Sequence, residues 1–342
     1  MNGMVLGLLS AFLFGASTPA SKLLLAELTP FQLAGLLYLG AALGVALPVA
    51  LERRRADRVR LDSRNRRRLT GAVLFGGVLG PVLLLMGLRL AAAASVSLIL
   101  NLEMAATAAL GALWFREPLP RRGWLGVTGI VAAGALLSTD GGWPGLAAGL
   151  LVAAACGCWG LDNHLTALID GITPARSTLV KGVAAGATNL SIGAALAPIP
   201  ASGSTVAQAL AVGAVCYGVS ISLYIASAQQ LGATRAQGLF ASAPFFGAGL
   251  AFVALGEPLT PVHAAAAAIL SLSVALLFLA QHGHEHVHEA LEHVHSHRHD
   301  DGHHTHVHPG RPPGKRHTHR HRHAPLSHAH PHWPDLHHRH RH

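Results

Sequence analysis

Residues 115–120, Phe115-Arg116-Glu117-Pro118-Leu119-Pro120, return as residues 255–260, Leu255-Gly256-Glu257-Pro258-Leu259-Thr260. Each copy closes a long apolar run and is followed by another. Proline disfavours helix at the residue before it, so a helix stops at the glutamate. Proline also fits the first turn of the next helix, where its missing N–H costs nothing. Each copy therefore reads as helix, Glu-Pro hairpin, helix, and the two hairpins lie 140 residues apart.

Composition sets the environment of these helices. The chain is 51% apolar and 12% charged, and only seven acidic or basic residues lie between Gly123 and Ala280. Soluble domains carry roughly a quarter charged residues. Apolar runs of about 18 or more residues, enough to cross a hydrocarbon layer of about 30 Å, recur along the chain. The pattern predicts an all-α polytopic membrane protein in contact with lipid. The start carries no basic residue before its first apolar run, and Lys22 falls near the far end of that run, so residues 5–25 read as a retained span and not a cleaved signal. Cys156, Cys158 and Cys216 lie inside apolar runs and read as small buried residues, without a disulfide framework.

Ten spans are expected, at roughly 4–25, 30–50, 70–88, 92–115, 122–139, 145–168, 174–197, 206–228, 234–255 and 261–280. Pro30, Pro144, Pro174 and Pro261 stand at first helical turns. The halves match beyond the hairpins: Thr29-Pro30 pairs with Thr173-Pro174, and Leu13-Phe14-Gly15 with Cys158-Trp159-Gly160. The expected layout is two five-helix repeats, residues 1–140 and 141–280, followed by a tail, residues 281–342. Five is odd, so the second repeat enters the membrane from the opposite side. Inverted repeats are a transporter architecture, with substrate held near the midplane between the halves.

Arginine placement orients the chain. The loop over residues 51–69 holds Arg53, Arg54, Arg55, Arg58, Arg60, Arg64, Arg66, Arg67 and Arg68, and Arg116, Arg121, Arg122, Arg176 and Arg235 fall on the same side. The other side offers little beyond Arg89 and Lys22. The positive-inside rule then puts both termini in the cytoplasm, in a plasma (inner) membrane.

The paired five-span units, the Phe-Gly or Trp-Gly of each first helix, and the E-P-L hairpin followed by Gly123-x-x-Gly126-x-x-Gly129 resemble the EamA-type carriers of the drug/metabolite transporter superfamily. The resemblance covers about residues 4–280. That family commonly has proline in the helix before each hairpin; Pro244 matches, but the first repeat has Glu103 near the corresponding place. The resemblance implies a ten-helix secondary carrier, often an exporter of amino acids or other small metabolites.

Polar residues inside the spans are the site candidates, because ionisable groups in a membrane must be paired, face water or work. Glu103 lies halfway along the fourth span and suits proton coupling. Asn101, two residues away, points to another face. Asp162-Asn163-His164 turn by about 100° per residue, so at most two share a cavity; Asp162 and His164 are candidates for a proton relay or a cation site. Asn189 and Tyr217, with Ser220 and Ser222, are further candidates for a central cavity. Lys22 and Lys181 read as side chains that snorkel to water. Glu117, Pro118, Glu257 and Pro258 read as structural hairpin residues, and Pro81 and Pro244 as places where the helix ladder opens.

The tail is another material, with 23 of the 25 histidines. H-x-H repeats run through His282, His284, His286 and His288, then His293, His295, His297 and His299, and on through His303, His304, His306 and His308. Few large hydrophobes and frequent prolines predict disorder. Dense imidazole favours Zn, Ni, Co or Cu, with Asp300 and Asp301 as oxygen ligands, in several weak and exchangeable sites.

Three functions fit. A small-molecule exporter working by alternating access leads. A Ni, Co or Zn transporter using the tail as buffer is second, set back because the spans offer only Glu103, Asp162, His164 and scattered cysteines as ligands. A membrane-anchored metal-storage protein is third. No nucleophile–base pair, phosphate loop or metallohydrolase motif points to an enzyme, no cofactor is required, and no nucleic-acid partner is expected. A homodimer is compatible with this layout.

Overall fold

The structure, a computed structural model, describes residues 2–53, 62–115, 119–169, 172–199, 202–231 and 233–279, and in the tail the backbone of 282–288, 291–297, 317–323 and 326–332. The membrane part is all helical. Span 1 is α1 (Gly3–Leu24), span 2 is α2 (Pro30–Arg53), and span 3 comprises α3 (Ser63–Ala72), a π-helical segment (Val73–Leu79) and α4 (Gly80–Leu90). Span 4 is α5 (Ala93–Ile99) and α6 (Leu102–Leu113), span 5 is α7 (Arg121–Asp140), and span 6 is α8 (Gly142–Ala167). Span 7 is α9 (Pro174–Leu196), and span 8 comprises α10 (Gly203–Val212), a second π-helical segment (Gly213–Val219) and α11 (Ser220–Leu231). Span 9 is α12 (Ala233–Phe240) and α13 (Ala243–Ala254), and span 10 is α14 (Pro261–Leu279). Among the described residues nine of these spans are long and apolar enough to cross a bilayer. The other, α7, is 20 residues long and carries Arg121, Arg122 and Asp140 at its ends.

Some features of the helices and their contacts are symmetric, consistent with an internal repeat. The π-helical segments begin at Val73 and Gly213, 140 residues apart like the hairpins. Spans 4 and 9 are both broken near their middles, at Leu100-Asn101 and Ala241-Ser242. The contacts are symmetric as well. Span 1 packs on spans 8 and 9, and span 6 on spans 3 and 4. Span 2 meets span 7, and span 5 meets span 10. Gly15 abuts the backbone of Ala243 and Gly247, while Gly160 abuts that of Ala106 and Thr107. In each case the glycine of the first helix lets the backbone of the other half's broken helix come within contact distance, as small residues do between membrane helices. An opening of the ninth span at Pro244 was the expectation; none was expected in the fourth. The breaks arise where Pro244 opens α13 and where Asn101 begins α6.

One hairpin is described. Gly256 has φ 65°, a left-handed conformation that glycine adopts at little cost, and it reverses the chain before Glu257 and Pro258. Glu257 accepts from the N–H groups of Ala93 (2.7 Å) and Ala94 (2.8 Å) at the start of α5. A carboxylate there satisfies orphan donors and complements the helix dipole. The hairpin of one half therefore caps a broken helix of the other. Glu117 and Pro118 lie outside the described residues.

The tail departs from expectation at its described stretches. β1 (His282–His288) pairs antiparallel with β4 (Leu326–His332), and β2 (Leu291–His297) with β3 (His317–His323). Low apolar content suggested disorder, but H-x-H has a period of two, the period of a strand, and the ladders satisfy its backbone. The register sets His282, His284 and His286 opposite His332, His330 and His328, and His293, His295 and His297 opposite His321, His319 and His317. His299, His303, His304, His306 and His308 lie outside the described residues.

Candidate functional site

The site grows from the π-helical segment of span 3. A π turn shifts the backbone pattern to i→i+5, as in the bond from the Gly80 N–H to the Phe75 carbonyl. Pro81 follows and has no N–H, so carbonyls four and five residues earlier, Gly77 and Gly76, lose a helical donor. Side chains replace it. The hydroxyl of Tyr38 and the indole N–H of Trp159 (3.0 Å) both donate to the Gly76 carbonyl. The amide of Asn189 donates to the Gly77 carbonyl at 3.0 Å. Trp159 and Asn189 come from the second half, so the loosened backbone of one half is held by side chains of the other.

Beside these carbonyls lies an ion pair. Lys181 Nζ is 2.7 Å from Asp162 Oδ2 and 3.0 Å from Oδ1, and Thr166 Oγ1 donates to Oδ1 at 2.8 Å. Asp162 and Lys181 expose 9% and 18% of their side chains, so the pair is largely removed from solvent. Lys181 thus neutralises Asp162 and does not snorkel, contrary to expectation. A paired charge inside the protein is less costly than two extended side chains leaving a buried carboxylate alone.

Glu103 is in the first turn of α6, just past the break in span 4. Asn163 Nδ2 donates to Glu103 Oε1 and to Thr107 Oγ1, each at 3.1 Å. Glu103 makes no ion pair among the described residues. His164 turns elsewhere. Its Nε2 lies 2.9 Å from the Thr107 carbonyl, and its ring stacks on Phe115 at 4.3 Å. Asp162 and His164, expected as one relay, thus have different partners. The middle residue, Asn163, is the one that reaches Glu103, because α8 turns it toward α6.

Asn101 and Asn189 are both buried, and each leaves its Oδ1 without a hydrogen-bond partner among the described residues. Asn101 Nδ2 donates to the Leu98 carbonyl at the break of span 4. Tyr217 sits in the π-helical segment of span 8. Its ring lies 5.5 Å from Phe14 and 6.4 Å from Tyr38, and Phe14 contacts Phe240 at 5.1 Å. Tyr38 joins the two groups, within electrostatic range of Asp162, Glu103 and Tyr217.

Tyr38, Trp159, Asn163, Thr107 and Lys181 were not expected at the site. Trp159 and Asn163 carried a signal, since both lie in stretches already singled out; Tyr38 and Thr107 are ordinary residues in apolar runs. Lys22, also expected to snorkel, donates to the Leu88 (2.6 Å) and Ala91 (2.8 Å) carbonyls at the end of α4. His263, the second histidine outside the tail, carried no sequence signal; it is buried between Ser95 Oγ (3.0 Å from Nε2) and Thr260 Oγ1 (2.8 Å from Nδ1). Among the described residues no three His, Cys, Asp or Glu side chains converge as a metal-binding group.

Comparison with known proteins agrees with this architecture. Residues 1–139 match the EamA-like transporter family. A protein of Methanothermobacter thermautotrophicus described as an uncharacterized transporter is 26% identical over 290 residues, covering 78% of this chain and 82% of its own length. A solved crystal structure shares the fold with a TM-score of 0.57 at 18% identity, over 81% of this chain and 96% of the other. The sequence likenesses are to transporters and not to enzymes.

Proposed function

We propose that the chain is a secondary transporter that exports a small metabolite or amino acid by alternating access, coupled to protons at Glu103. The observation that carries this reading is the pairing of the charges. Lys181 neutralises Asp162, while Glu103 has a neutral partner, Asn163, at the break of a discontinuous helix. A carboxylate in that position needs a proton or a cationic guest to offset its charge. Proton gain and loss there would drive exchange. The duplicated five-helix unit supports rocking of the two halves about this seam, and its odd helix number supports an inverted relation between them. The arginine-rich loop supports cytoplasmic termini in an inner membrane.

The tail is a cytoplasmic buffer for divalent Zn, Ni, Co or Cu. Its support is the opposed histidines of β1/β4 and β2/β3. Directly opposed residues of an antiparallel pair stand about 5 Å apart, within reach of one ion.

The test is flux in proteoliposomes. The full chain and a version stopped after Ala280 are each given a metabolite and amino-acid panel and, separately, Ni, Co and Zn. Metabolite flux driven by a pH gradient is expected with and without the tail, and Glu103→Gln should be uncoupled. Metal flux through either protein, or unchanged pH-driven flux in Glu103→Gln, would overturn the reading.

A further inference from the structure

The histidines of the tail are phased. In residues 282–297 they stand at even positions, His282, His284, His286 and His288, and then at odd ones, His293, His295 and His297. In residues 317–332 the order is reversed: His317, His319, His321 and His323, then His328, His330 and His332. Each side changes phase once, by a step of five residues, from His288 to His293 and from His323 to His328. The pairing respects both changes. β1/β4 and β2/β3 keep one register, from His282 opposite His332 to His297 opposite His317. Histidine meets histidine at six positions, three in each ladder. The histidines nearest the change, His288 and His323, meet Leu326 and Leu291. A tract that collected ions by histidine content alone would have no use for phases matched across two strands.

Residues two apart on a strand share a face, and directly opposed residues share it as well. His282/His332, His284/His330 and His286/His328 therefore form one ladder of histidine rungs on a single face of β1/β4. His293/His321, His295/His319 and His297/His317 form a second on β2/β3, whose other face carries the opposite-charge pair Glu292/Arg322. Opposed residues stand about 4.5–5.5 Å apart and successive rungs about 7 Å. The opposed pair, and not the neighbour along the strand, is thus the closest two-imidazole site. The four strands hold only Val287, Leu291, Val294 and Leu326 as large apolar residues. A two-stranded ribbon is marginal in water by itself, so apolar burial is too small to join these strands. The rungs offer ligands that can.

Resting on the metal-buffer reading of the tail above, we propose that the tail is a metal-stapled ribbon, in which each divalent ion bridges one opposed histidine pair and register fixes which histidines act together. Neutral imidazole is the nitrogen ligand that borderline ions such as Zn and Ni prefer. An ion held from both strands crosslinks them, so its binding free energy is also the free energy of pairing. The first bridge brings the next rung together, and loading and closure proceed as one cooperative step. Scarce metal leaves the strands apart; sufficient metal closes them into two three-rung ladders.

The test uses the purified full chain in nanodiscs, with Zn as the probe. Hydrogen exchange followed by mass spectrometry compares the unaltered chain in Zn and in chelator. Zn should slow the amides of residues 282–297 and 317–332 at least about tenfold. Equilibrium dialysis against buffered free Zn then compares two variants that each lack two histidines. His295→Gln/His319→Gln removes both members of one rung, whereas His295→Gln/His321→Gln breaks two rungs. The first should lose about one bound ion and the second about two. Equal losses in the two variants, or Zn binding that leaves strand exchange unchanged, would overturn the proposal. Both variants leave the membrane spans untouched, and the exchange measurement on the unaltered chain decides without them. Zn binding with equal losses would sink this inference alone, while a full chain that binds no Zn would sink the metal-buffer reading on which it rests.

Discussion

Neutralising Lys181 should damage the protein more than neutralising both members of its ion pair. Asp162 and Lys181 meet at 2.7 and 3.0 Å with 9% and 18% of their side chains exposed. Removing one partner of such a pair leaves an uncompensated buried charge, at a cost of about 3–5 kcal/mol. Replacing both by neutral residues of similar volume costs far less, because the desolvation penalty of both ions disappears with their attraction. Lys181→Met strands the carboxylate against the Gly76 backbone, where among the described residues only Thr166 remains to donate to it. Lys181→Met should therefore lose about 3–5 kcal/mol, and the double variant Asp162→Asn/Lys181→Met should recover at least half of that. Thermal unfolding in detergent, followed by exposure of the buried thiols Cys156 and Cys216, reads this directly. At about 2–4 °C per kcal/mol the single variant should melt on the order of 10 °C early. A single variant within about 1 kcal/mol of the parent, or a double variant as unstable as the sum of the singles, would refute the reasoning.

Other perturbations probe the scaffold around the seam. A Cβ at Gly76 would collide with the carboxyl of Asp162, so Gly76→Ala should cost about 1–3 kcal/mol and slow any flux, whereas Gly157→Ala, with open space around it, should cost less than about 0.5 kcal/mol; the pair compared in the melting assay checks the geometry. Glu257→Gln keeps one acceptor for Ala93 or Ala94 but loses the charge at the start of α5, so about 1 kcal/mol should go, and the loss should shrink in high salt. Isothermal titration of the full chain with Ni should show tight multi-site binding that is absent after truncation at Ala280. That binding should weaken as pH falls from 7 to 5, because protons and metal compete for the same imidazole nitrogens; unchanged Ni binding on truncation would end the tail proposal.

The candidate site was only partly readable in the chain. Glu103, Asp162, Asn189 and Tyr217 stood out because polar groups are conspicuous in apolar helices; in the structure they meet Asn163, Lys181, the Gly77 carbonyl and the Phe14 ring, respectively. Their partners did not stand out. Lys181 lies on a different helix from Asp162, 19 residues away, and nothing local shows that α8 and α9 turn those side chains toward each other. Pro81 marked an opening of the helix ladder in span 3, but that it takes the form of a π-helical segment was hidden, since Gly-Gly and Pro81 permit a wide turn without requiring one.

The sequence by itself determined the class, an all-α polytopic membrane protein of long apolar helices. Hydropathy over about 20 residues, proline at helix starts and the repeated Glu-Pro hairpin are local properties, and the membrane leaves a helix as the only way to satisfy such runs. Tertiary structure alone decided which carboxylate is matched and which is not. It also decided that the hairpin glutamate of one half caps a helix of the other, and that Trp159 and Asn189 hold carbonyls freed more than 80 residues away. Those are relations between helices, fixed by how the faces of the two repeats meet, and a hydrogen bond or ion pair across that seam has no counterpart in the order of residues along the chain.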